Sequence, residues 1–290
     1  MRFQKKLLIT LSAIFMSFIL MSFSFASETD KGAVSSVKSA DGSSIKYGVQ
    51  GEGDVTIVFV HCWTCNHGFW KPQIEHFAKK HRVVWLDLAG HGSSTSSRKD
   101  YTMSAFGADV AAVVNAVGAD KVVLVGHSMG GPVSVEAANL LGDRVVGVVG
   151  VDTFYTPFEY PKSEEKIEEF VKPFKDDFAG TSENMVRSMF VPDVDKGVVD
   201  RWVNEFKDAN PELGISAMYD IFRWNAKNVP VTLEKYGKKL RNINGAPKGD
   251  EKPLHESVVL IPKVGHFVAQ VKPDEFNQAL EGILVEFWVK

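Results

Sequence analysis

The chain has 290 residues, 44% of them hydrophobic, with 33 Lys and Arg against 36 Asp and Glu. With 24% charged residues, this composition excludes a disordered, collagen-like or coiled-coil chain and leaves ample length for a buried core. A net charge of −3 excludes the basic surface that a nucleic-acid binder needs.

Arg2, Lys5 and Lys6 form a positive head, an apolar run extends from Leu7 to Phe25, and Ser24-Phe25-Ala26 sets small residues before a cut. The layout predicts a secretory signal peptide over residues 1–26. An uncleaved anchor is the alternative, since the run is about long enough to span a bilayer. Losing those three positive charges takes the net charge from −3 to −6. The mature chain is then expected to be soluble, exported (periplasmic or secreted) and without a membrane span. Nothing in the pattern sets an oligomeric state.

Val34 to Val49 reads as a hairpin turning at Asp41-Gly42. Buried strands are expected at Val55–Val60, Arg82–Asp87, Lys121–Gly126 and Val145–Val151, where β-branched residues run without alternation. Helices are expected at Phe69–Lys80, Met103–Val117 and Gly130–Leu141, the last two stopped by Gly118 and Gly142. From residue 154 to about 238 no buried strand is legible, only helical stretches rich in Phe, Met and Trp. Alternation resumes with a weak strand at Leu240–Ile243, a clear one at Ser257–Ile261 and a helix at Asp274–Phe287. The reading is an α/β domain with a mostly parallel sheet and helices on both faces. It is divided as 27–153 and 239–290, with a helical insertion over 154–238.

Gly126-His127-Ser128-Met129-Gly130 directly follows a strand and opens a helix, the context in which G-x-S-x-G is a nucleophile elbow. With His61 after the first buried strand, Asp87-Leu88-Ala89-Gly90-His91-Gly92-Ser93 after the next and Val264-Gly265-His266-Phe267 after the last, the sequence resembles the α/β-hydrolase family from about Val34 onward. The resemblance implies that the insertion is a cap over the active site and that Ser128 is the nucleophile. It also implies that His266 is the general base, while His61, His91 and His127 are structural. His67, His76, His81 and His255 lack motif support and read as surface or loop residues.

The acid has two candidates. The family most often supplies it after the strand that here ends Asn244-Gly245-Ala246, where Asp250 is the first aspartate. Asp152, 24 residues beyond Ser128 at the end of the next strand, is preferred, with Asp250 as the alternative. The backbone N–H groups of Met129 and Trp63 match the family's oxyanion donors. Cys62 stands where the family usually has glycine; a positive φ there would strain it by roughly 1–2 kcal/mol. Cys62 and Cys65 form a C-x-x-C that in an exported chain suits a short disulfide pinning the loop of Trp63. Neither redox catalysis nor a metal site is expected, because the motif lacks a thioredoxin-type context and a second ligand pair.

Together these features imply a serine hydrolase without cofactor or metal, acting on a small, partly apolar ester, thioester or lactone through an acyl-enzyme. Peptidase, C–C hydrolase and perhydrolase reactions use the same residues and stay open. So does a non-catalytic ligand-binding or signalling homologue. A serine rather than an aspartate at the elbow argues against epoxide hydrolase and haloalkane dehalogenase chemistry.

Overall fold

Eight strands make one sheet in the computed structural model, which describes residues 34–288; the expected signal segment, residues 1–26, lies outside the described residues. The strands are β1 (Val34–Lys38), β2 (Ser44–Gln50), β3 (Thr56–Val60), β4 (Arg82–Leu86), β5 (Val122–His127), β6 (Val145–Val151), β7 (Leu240–Ala246) and β8 (Val258–Pro262). Their spatial order is β1-β2-β4-β3-β5-β6-β7-β8. β2 runs antiparallel to β1 and β4, and every other neighbouring pair is parallel. The α/β architecture expected from the sequence is therefore the one found.

Alternate side chains of a strand face opposite sides of the sheet. Ile57 and Phe59 of β3 pack with Ile74 and Phe77 of α1 (Lys71–Phe77) on one side. Val58 and Val60 pack on the other with Phe106 and Val110 of α2 (Met103–Ala116) and Val133 of α3 (Gly130–Leu141). The expected helix at Phe69–Lys80 is shorter than its pattern: a tight turn at His67–Trp70 precedes it, and Pro72 at its start suits only a first turn.

Between β6 and β7 the chain forms α4 (Glu164–Asp176), α5 (Phe178–Ser188), α6 (Lys196–Lys207) and α7 (Pro211–Tyr236). Each begins where a polar side chain accepts a free first-turn N–H: Ser163, Asp177, Asp195 and Asn210 respectively. Their apolar stripes bury residues such as Ile167, Phe174, Val186 and Phe206 toward the sheet's C-terminal edge. After β8 come the short α8 (Val268–Val271) and α9 (Pro273–Trp288), whose Phe276, Leu280 and Ile283 complete the α1 side of the core. Truncating Leu280 to Ala would cost about 2–5 kcal/mol. Among the described residues no helix is long and apolar enough to cross a membrane.

Candidate active site

Ser128 sits between β5 and α3 with φ 53°, a left-handed conformation that a non-glycine residue adopts only when the surroundings impose it. Two backbone bonds do so: Ser128 N–H donates to Val151 O at 2.9 Å, and Gly131 N–H donates to Ser128 O at 2.9 Å. A Cβ on Gly126 would strike the Gly130 carbonyl, and one on Gly130 would lie 2.5 Å from Val60 O. Only glycines let strand and helix meet this closely. The serine side chain is thereby held at the sheet's C-terminal edge.

His266 Nδ1–H donates to Asp152 Oδ2 at 2.6 Å, which leaves Nε2 as the ring's free nitrogen. Asp152 follows β6 with φ 46°; its N–H donates to Ile243 O at 3.1 Å, and its Oδ1 accepts from Gly245 N–H at 3.0 Å. Asn244 Nδ2 holds the carbonyl of Phe154 at 2.9 Å, steadying the turn just after the aspartate. So β7 orients the Asp152 carboxylate from the neighbouring strand through the Gly245 N–H, and its Asn244 steadies the turn that follows. Asp250 is exposed in the connection between β7 and β8, and the carboxylate bonded to His266 is that of Asp152 instead.

The other side of His266 is fixed from the core and from the helices between β6 and β7. His127 Nε2–H donates to His266 O at 2.9 Å, and the two rings lie 4.8 Å apart. Burial holds His127 well below the ordinary imidazole range, so it stays neutral. His266 N–H donates to Met189 O, at the end of α5, at 3.0 Å. Neither partner was legible from the motifs, because both arise from folding alone.

Cys62 and Cys65 are disulfide-bonded, with α-carbons 5.2 Å apart. The left-handed residue of this loop is Thr64 (φ 52°), not Cys62, so the strain considered for Cys62 is absent. Cys65 N–H closes the turn onto Cys62 O at 3.2 Å. Trp63 Nε1–H donates to Gly214 O of α7 at 2.8 Å, and its ring packs against Phe174, Phe178 and Phe206. Among the described residues, the backbone N–H groups of Trp63 and Met129 donate to no acceptor.

Ser128, Asp152, His266, Cys62 and Trp63 line one cavity of about 450 Å³, roofed by Phe170, Met185, Phe206, Met218 and Phe222 from α4 to α7. Ser128 Oγ and His266 both open onto it without a hydrogen bond between them; in unliganded sites such contacts tighten when substrate binds. A wider outer cleft of about 1020 Å³ adjoins it across Thr156, Phe158, Tyr160 and Phe170. Among the described residues no group of three or more His, Cys, Asp or Glu is placed to hold a metal ion.

The remaining histidines divide. His61 is buried, with Nδ1–H donating to Cys62 O at 2.8 Å and Nε2 accepting Leu88 N–H at 3.0 Å, and His91 is buried beside it. His67, partly exposed in the turn after β3, is the loop residue expected, and it also stacks on Trp85 at 4.1 Å and bonds the buried Asp87 at 2.8 Å.

Comparison with known proteins agrees with this fold. The α/β-hydrolase fold family profile matches residues 55–194. A bifunctional esterase/perhydrolase of Acinetobacter calcoaceticus is 39% identical over 97 residues, 33% of this chain and 35% of that protein. The dihydrolipoyllysine-residue acetyltransferase component of an acetoin-cleaving system of Cupriavidus necator is 32% identical over 123 residues, 42% of this chain and 33% of that protein. The chain thus spans about a third of the length of these relatives. Among solved structures, a thermophilic esterase of Thermogutta terrifontis superposes with a TM-score of 0.72 at 22% identity, covering 88% of this chain and 99% of that one. The chain is an α/β-hydrolase-fold protein, with hydrolases among its relatives.

Proposed function

We propose that the protein is an exported serine hydrolase that cleaves a small, partly apolar carboxylic ester, thioester or lactone. The observation that carries this reading is the opening of Ser128, His266 and Asp152 onto one apolar cavity, with the imidazole already bonded to its carboxylate at 2.6 Å. The charge patterning of residues 1–26 and the Cys62–Cys65 bond support export.

The mechanism follows from the positions. Ser128 Oγ attacks the acyl carbon while His266 Nε2 takes its proton. The negative oxygen that forms is met by the free N–H groups of Met129 and Trp63, each worth about 3 kcal/mol in comparable sites. His266 then returns the proton to the leaving group, and water activated by the same ring clears the acyl-enzyme. Asp152 holds the Nδ1–H tautomer and stabilises the imidazolium. No step calls for a cofactor.

A second reading is favoured by the esterase/perhydrolase relative. The same acyl-enzyme would pass its acyl group to hydrogen peroxide in place of water. A panel of p-nitrophenyl esters of rising acyl length tests the main reading. Turnover that peaks at short or aromatic acyl groups and vanishes in Ser128→Ala is expected. Turnover that survives Ser128→Ala would refute it.

A further inference from the structure

The outer cleft of about 1020 Å³ has no part in the chemistry described so far. Two hydrogen-bond acceptors without donors lie along its α7 wall. Asn225 lines the cleft and is only 6% exposed. Its Nδ2–H donates to Ile221 O at 2.8 Å, one turn back along α7, whereas its buried Oδ1 accepts from no donor among the described residues. A buried acceptor that has lost its water without gaining a donor is costly, so such an atom points to a ligand that brings one. The next residue repeats the pattern in the backbone. In a regular helix Ala226 O would accept from residue 230, but residue 230 is a proline inside α7 and has no N–H. Ala226 and Pro230 both line the cleft.

The chemistry of the cleft narrows what that ligand is. Two unpaired acceptors repel a carboxylate or phosphate, while the exposed Lys162 and Lys166, which also line the cleft, repel a cation. A hydroxyl meets both, since it donates to Asn225 Oδ1 or Ala226 O and accepts from a lysine. Phe158, 49% exposed, adds an aromatic face against which the C–H bonds of a polyol can pack. The cleft also begins on the leaving-group side. His266, which hands its proton to the departing alcohol, is bonded to Asp152, and Thr153, Phe154 and Tyr155, directly after Asp152, line the cleft. Resting on the serine-hydrolase reading above, we propose that the outer cleft binds the alcohol part of the substrate and that this part is a polyol, so that the substrate is a carboxylic ester of glycerol or a sugar. When the acyl C–O bond breaks, its electron pair goes to the polyol oxygen, which takes the proton from His266 Nε2. The acyl group stays on Ser128 until water removes it, and the other hydroxyls, held by Asn225 and Ala226, keep their protons.

The test compares glyceryl monobutyrate with ethyl butyrate, which share the acyl group and differ in hydroxyls. Wild type is expected to favour the glyceryl ester in kcat/KM by at least about tenfold, mostly through KM, because the added hydrogen bonds lie away from the reacting atoms. Asn225→Leu keeps the shape and removes one acceptor, and Pro230→Ala supplies the missing N–H to Ala226 O. In each variant the preference is expected to fall at least about threefold. Pro230→Ala restores a helical bond, so it decides alone should Asn225→Leu fail to fold. Butyryl glucose in place of the glyceryl ester tells a sugar from glycerol, and a preference for either that a variant lowers supports the proposal. A preference below about twofold for both polyol esters, or one that neither variant changes, overturns it. So does a stronger preference for butyryl lactate, with a carboxylate on its alcohol part, that is lost in Lys162→Gln. A wild type inactive on p-nitrophenyl butyrate would instead refute the serine-hydrolase reading itself.

Discussion

His266 Nδ1 and Asp152 Oδ2 meet at 2.6 Å although 114 residues separate them in the chain. Asp152→Asn would keep the hydrogen bond only by reversing the imidazole tautomer, leaving Nε2 protonated and unable to take the serine proton. A drop in kcat of about 10⁴-fold is expected. Asp250→Asn, on the exposed loop, is expected to leave kcat within about twofold. Steady-state kinetics of the two variants checks this, and the reverse ranking would refute the assignment.

The elbow makes a sharp steric prediction. Gly126→Ala drives a methyl group against the Gly130 carbonyl, which cannot move without breaking the turn. A stability loss of about 2–4 kcal/mol in urea unfolding and loss of activity are expected. Gly282→Ala on the exposed face of α9, where a Cβ meets nothing within 4 Å, is expected to raise stability by about 0.5–1 kcal/mol. Equal effects at the two positions would contradict the packing argument.

Stability should fall in mild acid. Burial, the main cause, pushes His61 down to about 4 and His91 down to about 3, against an ordinary value of 6.5. Below pH 6.5 the unfolded chain therefore binds protons that the native state refuses. The contribution is complete above the unfolded value and is lost as pH falls toward the folded ones, at about 1.4 kcal/mol per pH unit for each histidine. For His61 the cause is visible, since protonated Nε2 could no longer accept Leu88 N–H. The urea midpoint should decline steadily between about pH 6.5 and pH 4; a flat profile would contradict the account.

The disulfide should matter to turnover. It closes the loop of Trp63, which lines the cavity and is proposed to supply an oxyanion donor, so opening it would let that donor drift. Thiol titration of denatured, unreduced protein is expected to find no free thiol. Reduction of the native protein should lower kcat about tenfold, less than the 10²–10³ lost when such a donor is removed outright. Reoxidation should restore it. Unchanged kcat with both thiols titratable would show that the bridge does not position Trp63.

Much of this was legible in the sequence, for physical reasons that differ by residue. Ser128 stood out because two glycines, a β-branched run and a helix pattern all specify one sharp turn. The strands β3 to β6 were readable because burial on both faces demands unbroken apolar runs. The choice between Asp152 and Asp250 was not readable in the same way. It depends on β6 lying beside β7, with Val151 paired to Ile243, and on a left-handed turn at Asp152. The stacking of His67 on Trp85, the support of His266 by His127 and the exposure of Tyr160 to the cavity likewise depend on tertiary neighbours that no local pattern encodes.

A fluorophosphonate probe reads out the central chemistry most directly, because it reacts only with a serine whose proton is being taken. Mass spectrometry of the labelled protein should locate the adduct on Ser128, with hydrolysis lost in parallel and no labelling in Ser128→Ala. Wild-type protein that stays unlabelled, or that is labelled at another serine, would contradict the account.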